Sequence, residues 1–373
     1  MIKILFFIES LSGGGAEKVL QNLVNNMDNE RFDITVQTVW KENPNKYLNK
    51  NIRYKYIYPC YSKLNNYKYR LGILLKTIYP KHIKDNYDIE IAYLECGATK
   101  VVSTSTNKKA KKIAWVHCDL SKKTSNINEF KKKSVIWYKK FDKVVCVSGD
   151  VEKSFKSIYG LELETAVIHN VIDDYSIKEK ANENIIDFSF DENAPTIVSV
   201  GRLSVEKRFD RLIEAHKLLL DEGFSNKLLI IGEGEERERL EQTIKALGVE
   251  KSVVLLGFKS NPYPYIKNAD LLACSSDYEG FSSFVAEGLI LGKAIVTTEC
   301  NGMEELLGKS QYGIIAGSDT KALAAGIQKL LADSSLKEKY ERNAKERARG
   351  FSIEASVKEA EHFFERMNGN PPV

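Results

Sequence analysis

The sequence predicts an α/β protein made of two Rossmann-like, doubly wound domains facing a central cleft. Three observations lead there. At 373 residues the chain exceeds one ordinary hydrophobic core and suits two domains. Short apolar runs of strand length alternate with segments of helical spacing, the pattern of parallel sheets with crossover helices. A polar stretch over 174–194 interrupts that pattern, which restarts at Pro195. The expected division is an N-terminal domain over 1–175, a linker over 176–194 and a C-terminal domain over 195–350, followed by a last helical segment.

In order, residues 2–8 read as a buried strand. The run is too short for a membrane span, and Lys3 and Glu9 do not suit a signal peptide. Gly13-Gly14-Gly15 then precedes an amphipathic helix opening at Ala16, with Val19, Leu20, Leu23 and Val24 on one face. The triplet lacks the dinucleotide spacing. It lets a backbone approach a ligand at a helix N-terminus, and it equally suits a tight strand-to-helix turn. Further strands are expected at 33–39, 89–93, 112–117 and 143–148. The tyrosine-rich stretch 51–69 has no clear period and reads as a loop or an acceptor-facing surface.

His117 closes its strand, where an open α/β sheet faces its ligand crevice; a lone histidine is more often structural. Residues 122–140 read as a basic helix with Phe130, Val135, Ile136, Trp137 and Phe141 interleaved, which suits a membrane surface. The second half places strands at 195–200, 227–231, 252–256, 271–275, 294–298 and 313–315. Helices at 209–220 and 237–247 lie among them. A final helix spans 353–367 behind Ser352, and the tail 368–373 is expected to fray.

Residues 1–180 carry 31 Lys+Arg against 20 Asp+Glu, while the remainder carries 24 against 31. One half is basic and the other acidic. The excess gathers in lysine clusters over 108–140, which suit anionic lipid headgroups, nucleic acid or plain solvation. The basic half holds no recognisable nucleic-acid module, so none is expected to bind. Six scattered cysteines without a C-x-x-C pair point to a reducing, cytoplasmic setting and away from a zinc site.

The chemistry gathers in two loops. Arg202 and Lys207 follow the first strand of the second half, and a cation pair suits a diphosphate leaving group. Glu279-Gly-Phe-Ser-Ser-Phe-Val-Ala-Glu287 follows a later strand and opens a helix. Its carboxylates suit vicinal hydroxyls, and its backbone N–H groups suit an anion. Diphosphate, ribose and further hydroxyls together describe a nucleotide-sugar.

Gly201-Arg202-Leu203, Glu206-Lys207, Gly232-Glu233-Gly234 and Glu279-x₇-Glu287 are spaced as in the retaining glycosyltransferases of family 4, and Gly13–Glu17 with His117 match their N-terminal half. The chain resembles that family over nearly its whole length. The resemblance implies a GT-B fold, with residues 351–373 packing back onto the first domain. It implies Arg202 and Lys207 on the donor diphosphate, Glu287 on the ribose and Glu279 by the donor sugar. The N–H groups of Phe281, Ser282, Ser283 and Phe284 would cap phosphate and sugar. Gly257 and Phe258 would lie by the base, Gly14 and Gly15 by the diphosphate, and His117 by the reacting face. The implied catalytic set is Arg202, Lys207, Glu279 and His117.

The implied reaction moves a hexose or N-acetylhexosamine from a UDP-sugar to a glycan hydroxyl with retained configuration. The departing diphosphate itself would help to deprotonate that hydroxyl. The acceptor is a glycan, read here as lipid-linked and met at the inner face of the plasma membrane through the 108–140 region. No Asp-x-Asp stands in the chain, and the basic pair replaces a cation, so no metal or other cofactor is expected. Two departures mark this chain. His169-Asn170-Val171 lacks the usual Pro and Gly, and Glu304 stands where a proline is usual. A nucleotide-sugar epimerase, a phosphorylase and a non-catalytic binding protein are the rival readings.

Overall fold

A computed structural model describes residues 1–12, 14–122, 126–160, 162–191 and 194–369 of the chain. Gly13 of the glycine triplet, Lys123 of the lysine clusters and residues 370–373 of the expected tail lie outside the described residues. The chain divides into two compact units, Met1–Ile172 with Ile353–Val373, and Asp173–Ser352.

Among the described residues the first unit holds seven strands: β1 (Ile2–Phe7), β2 (Phe32–Trp40), β3 (Arg53–Tyr58), β4 (Ile89–Ala92), β5 (Lys111–Val116), β6 (Lys143–Cys146) and β7 (Thr165–Val167). They lie in the order β3-β2-β1-β4-β5-β6-β7. Every pairing is parallel. Central strands such as β4 are buried along their length, as expected where helices cover both faces of a sheet. The winding reverses between β1 and β4, so the loops after these two strands open a crevice at their carboxyl ends. The final helix, Ile353–Met367, belongs to this unit. Its Phe364 is fully buried, with ring centroids 5.9 Å from Phe6 and 6.4 Å from Phe32. Arg31 holds the same helix through Glu361 and Glu365.

The second unit holds β8 (Thr196–Val200), β9 (Lys227–Ile231), β10 (Val253–Gly257), β11 (Leu271–Cys274), β12 (Ile295–Thr298) and β13 (Ile314–Ala316). Their order is β10-β9-β8-β11-β12-β13, again all parallel. The core joins Ile197, Ile230, Leu271 and Val296 of the sheet to Leu212 and Ile213 of the helix Phe209–Asp221. Here the winding reverses between β8 and β11.

Two expectations are corrected. Residues 51–69 are not irregular: they form β3 and the start of a helix over Lys63–Leu74. In this edge strand Tyr54, Tyr56 and Tyr58 share one face and Arg53, Lys55 and Ile57 the other, so neither face reads as a plain apolar stripe. The stretch 176–194 is not a bare linker, since a helix over Asp174–Lys180 packs on the helices Tyr263–Asn268 and Ser283–Ile290 of the second unit. Asp173 caps that helix by accepting from Ser176 N at 2.8 Å.

Candidate active site

The loops after β8 and β11 leave the switch point of the second sheet side by side. After β8, Gly201-Arg202-Leu203 runs against Gly232-Glu233-Gly234. Gly201 N donates to Ile231 O and Leu203 N to Glu233 O, each at 3.0 Å. This approach explains the glycines. A Cβ on Gly232 would stand 1.8 Å from Gly201 O, and one on Gly234 would stand 2.2 Å from Leu203 O. The pair of turns presents Arg202 as an exposed side chain at the strand end.

Val205–Lys207 is a short 3-10 turn, and Arg208 takes a left-handed conformation (φ 50°) before the helix Phe209–Asp221. The turn directs the Lys207 ammonium onto Glu279. Nζ lies 2.6 Å from Oε1, with both side chains largely shielded from water. The same Oε1 accepts from Ser276 Oγ at 2.7 Å, and the Cys274 thiol points to it from 3.9 Å. Burial alone would lower the Lys207 ammonium. The groups around it, the Glu279 carboxylate foremost, together outweigh burial and hold it above the ordinary lysine value. Lys207, Glu279, Ser276, Ser282 and Phe284 line one small cavity.

The two loops are stitched together by groups that sequence reasoning missed. Arg211 is 6% exposed; it donates to Ser275 O at 3.0 Å and to Asp277 Oδ1 at 2.5 Å. Arg208 reaches Asp277 at 3.2 Å. Ser275 Oγ donates to Lys207 O, and Asp277 N to Glu206 O, both at 2.8 Å. A signal existed: Arg211 stands among the mostly apolar inward residues of its helix, a position a charge takes only when paired.

Ser282 precedes the helix Ser283–Ile290, and its side chain does not cap it. The N–H groups of Ser283 to Val285 lie in the first turn and have no acceptor inside the helix, and this positive end of the helix lines the cavity through Ser282 and Phe284. Phe281, Ser282 and Phe284 are buried. One turn further on, Glu287 accepts from Tyr263 OH at 3.3 Å. Gly257 takes φ +79°, and its carbonyl accepts from Gly232 N. Phe258 is 72% exposed. Gly302 (φ +82°) backs the loop, since a Cβ there would stand 2.9 Å from Gly280 O.

In the first unit, Gly14 caps the helix Gly15–Asn26 in an ordinary extended conformation (φ −142°). A Cβ on Gly14 would meet the Glu17 carboxylate at 2.3 Å, so among the described residues its nearest neighbours are side-chain atoms and not backbone. The His117 ring lies 4.8 Å from Tyr93 and stacks on Trp115 at 6.5 Å. Its backbone N–H donates to the buried Glu95 carboxylate, which also accepts from Cys118 N at 3.1 Å. Glu95 went unremarked in the sequence. It fixes the strand end that carries His117.

Two doubly wound parallel sheets, one of them carrying a basic–acidic pair at its switch point, define a protein of the GT-B class. Residues 13–175 match Glycosyltransferase Family 4 and residues 180–347 match Glycosyl transferases group 1. The chain belongs to the family 4 type of GT-B glycosyltransferases. A relative from Campylobacter jejuni, "N-acetylgalactosamine-N,N'-diacetylbacillosaminyl-diphospho-undecaprenol 4-alpha-N-acetylgalactosaminyltransferase", is 33% identical over 232 residues, 61% of each chain. The present chain thus spans about six tenths of that relative's length. The amylovoran biosynthesis glycosyltransferase AmsD of Erwinia amylovora is 22% identical over 96% of this chain and 98% of its own. A crystal structure of Anabaena HepE with UDP and glucose matches with a TM-score of 0.78 at 19% identity, over 98% of this chain and 100% of that one, a likeness of fold.

Proposed function

We propose that the chain transfers a hexose or N-acetylhexosamine from a UDP-sugar to a hydroxyl of a lipid-linked glycan, with retained anomeric configuration, in the assembly of a bacterial cell-surface polysaccharide. The observation that carries this reading is the Lys207–Glu279 pair at the switch point, beside the Arg202 loop and a helix N-terminus. Arg202 and Lys207 would take the diphosphate as negative charge builds on it. Glu279 Oε1 is occupied by Lys207 and Ser276. Oε2 is the oxygen left to receive a sugar hydroxyl. Glu287, steadied by Tyr263, would take the ribose, with Gly257 and Phe258 toward the base. Gly14, Gly15 and His117 act on the first unit's side.

The Campylobacter relative's name supports an N-acetylhexosamine and a diphospho-undecaprenol acceptor. The amylovoran enzyme supports polysaccharide assembly. The protein works in the cytoplasm against the membrane, and the cation pair makes a metal ion unnecessary.

The test is release of nucleoside diphosphate from a panel of nucleotide-sugars with a polyprenyl-linked acceptor. Arg202→Ala and Lys207→Ala should each lower kcat by on the order of 10²–10³. Full activity in either folded variant overturns the donor site. Activity that survives a strong chelator supports the metal-free reading, and its loss overturns it. A product with the anomeric configuration opposite to the donor's overturns retention. Interconversion of the donor without diphosphate release would make the chain an epimerase.

A further inference from the structure

The helix Lys63–Leu74 turns its apolar stripe outward. Leu64, Tyr67, Leu71, Leu74 and the adjoining Leu75 are 38–75% exposed. Their spacing of three and four residues puts them in one band along one side of the helix. A surface helix ordinarily buries that band; here the opposite side is buried instead. Tyr69 is 5% exposed, and Gly72 packs so tightly that a Cβ there would stand 2.5 Å from Ile78 Cδ1. Ser62 caps the helix by accepting from Asn65 N at 3.0 Å, so the orientation is built in.

Charge surrounds the stripe with one sign. Lys63 and Arg70 flank it on one side and Lys68 on the other, all exposed. Residues 43–84 contain ten Lys or Arg and no Asp or Glu. An apolar band edged by cations complements one kind of surface well, an anionic lipid interface: leucines enter the acyl boundary while the ammonium groups meet headgroup phosphates. The lysine-rich helix Ile127–Tyr138 does not match this. Ile136 is its exposed large apolar residue, Trp137 lies under Lys100 at 4.6 Å, and Lys133 pairs with Glu129 at 2.6 Å.

We infer that the helix Lys63–Leu74, and not the 108–140 region, is the membrane-contacting element of this protein, lying in the plane of an anionic bilayer. The placement suits a lipid-linked acceptor. On the inner side of the same helix, Tyr69 OH donates to Glu9 Oε1 at 3.2 Å, in the loop after β1 at the first sheet's switch point. One side chain thus separates the proposed membrane face from that crevice. This inference deepens the membrane reading above and rests on it.

The experiment is co-sedimentation of the full chain with phosphatidylcholine vesicles, with and without phosphatidylglycerol. Wild type should bind the anionic vesicles, and more weakly as salt rises from about 0.1 M to about 1 M. A Lys63→Gln, Lys68→Gln, Arg70→Gln variant should partition roughly 100-fold more weakly. A Leu64→Gln, Leu71→Gln, Leu74→Gln variant should lose binding while keeping its circular dichroism and its transfer to a water-soluble acceptor. A Lys131→Gln, Lys132→Gln, Lys133→Gln variant should bind as wild type. If the leucine variant binds fully, or the Lys131 variant alone fails to bind, this inference falls and the membrane reading stands. If wild type ignores anionic vesicles, both fall. A wild-type dimer that the leucine variant dissociates, with no vesicle binding, would make the stripe an interface between copies and overturn the inference.

Discussion

Lys207 and Glu279 are set by each other. With Glu279→Ala the ammonium loses its partner in a shielded site, and the second unit should lose about 1–3 kcal/mol, read from denaturant unfolding. Glu279→Gln keeps an acceptor at the same place and should cost less. Because Lys207 is held above the ordinary lysine value, the pair contributes fully below the pKa of a free lysine, about 10.4. Its contribution fades as pH rises through the raised value. An unchanged unfolding midpoint in Glu279→Ala would show the pair to be without energetic weight. His216 works with the opposite sign. Burial lowers its pKa; it is 1% exposed, and its ring nitrogens lie 2.7 Å from Asn226 Oδ1 and 2.8 Å from Ser252 Oγ. A depressed folded-state pKa gives stability that is present above about pH 6.5 and lost as pH falls through the depressed value. Unfolding measured at neutral and mildly acid pH should show wild type losing more stability on acidification than His216→Gln. Equal losses would refute this.

The elements of the second unit are held by close backbone approach as much as by core packing. Gly234→Ala drives a Cβ into Leu203 O and must displace the loop that carries Arg202. A displacement near 1 Å should lower transfer on the order of 100-fold. Gly223→Ala is the control. Its φ is +84°, yet nothing lies within 4 Å of the added Cβ, so it should cost about 1–2 kcal/mol in stability and leave transfer unchanged. Equal activity in the two variants would show that the glycine turn does not position Arg202. The spacing of Gly232-Glu233-Gly234 was visible in the sequence. It could not say that both glycines face the neighbouring loop, because that contact is made by residues about thirty positions earlier in the chain. Strands β8 and β9 were legible to within a residue for the opposite reason: apolar runs bounded by Gly and Pro are a local signal. The strand β3 was not legible, since its tyrosines line one face while Arg53 and Lys55 share the other with Ile57, which leaves no clear apolar face.

At the scale of the molecule, the last helix returns to the unit in which the chain begins. Phe364→Ala empties a ring position against Phe6 and Phe32 and should destabilise the first unit by about 3–5 kcal/mol. Two-transition calorimetry should show the first unit's transition falling and that of Asp173–Ser352 holding its temperature. A shift of both together would mean the units unfold as one. The half-to-half charge asymmetry was visible in composition, and it pointed to 108–140 because lysines cluster there. Exposure redirects attention to residues 63–75, since a cationic surface without an exposed apolar band has nothing to insert into a bilayer.

The sequence by itself determined the alternation of strands and helices and the two-domain class, because period and turn chemistry are properties of neighbours along the chain, and it singled out Arg202, Lys207, Glu279 and Glu287 as candidates by their spacing. Only the tertiary structure decided which loops share an edge. Pairing of Ile197 with Leu271 puts β8 beside β11 and so brings Lys207 onto Glu279. Only the tertiary structure showed that Arg211 and Asp277 tie those loops and that the stripe on Lys63–Leu74 faces outward. Strand order and exposure depend on contacts between distant segments, which no window of sequence contains.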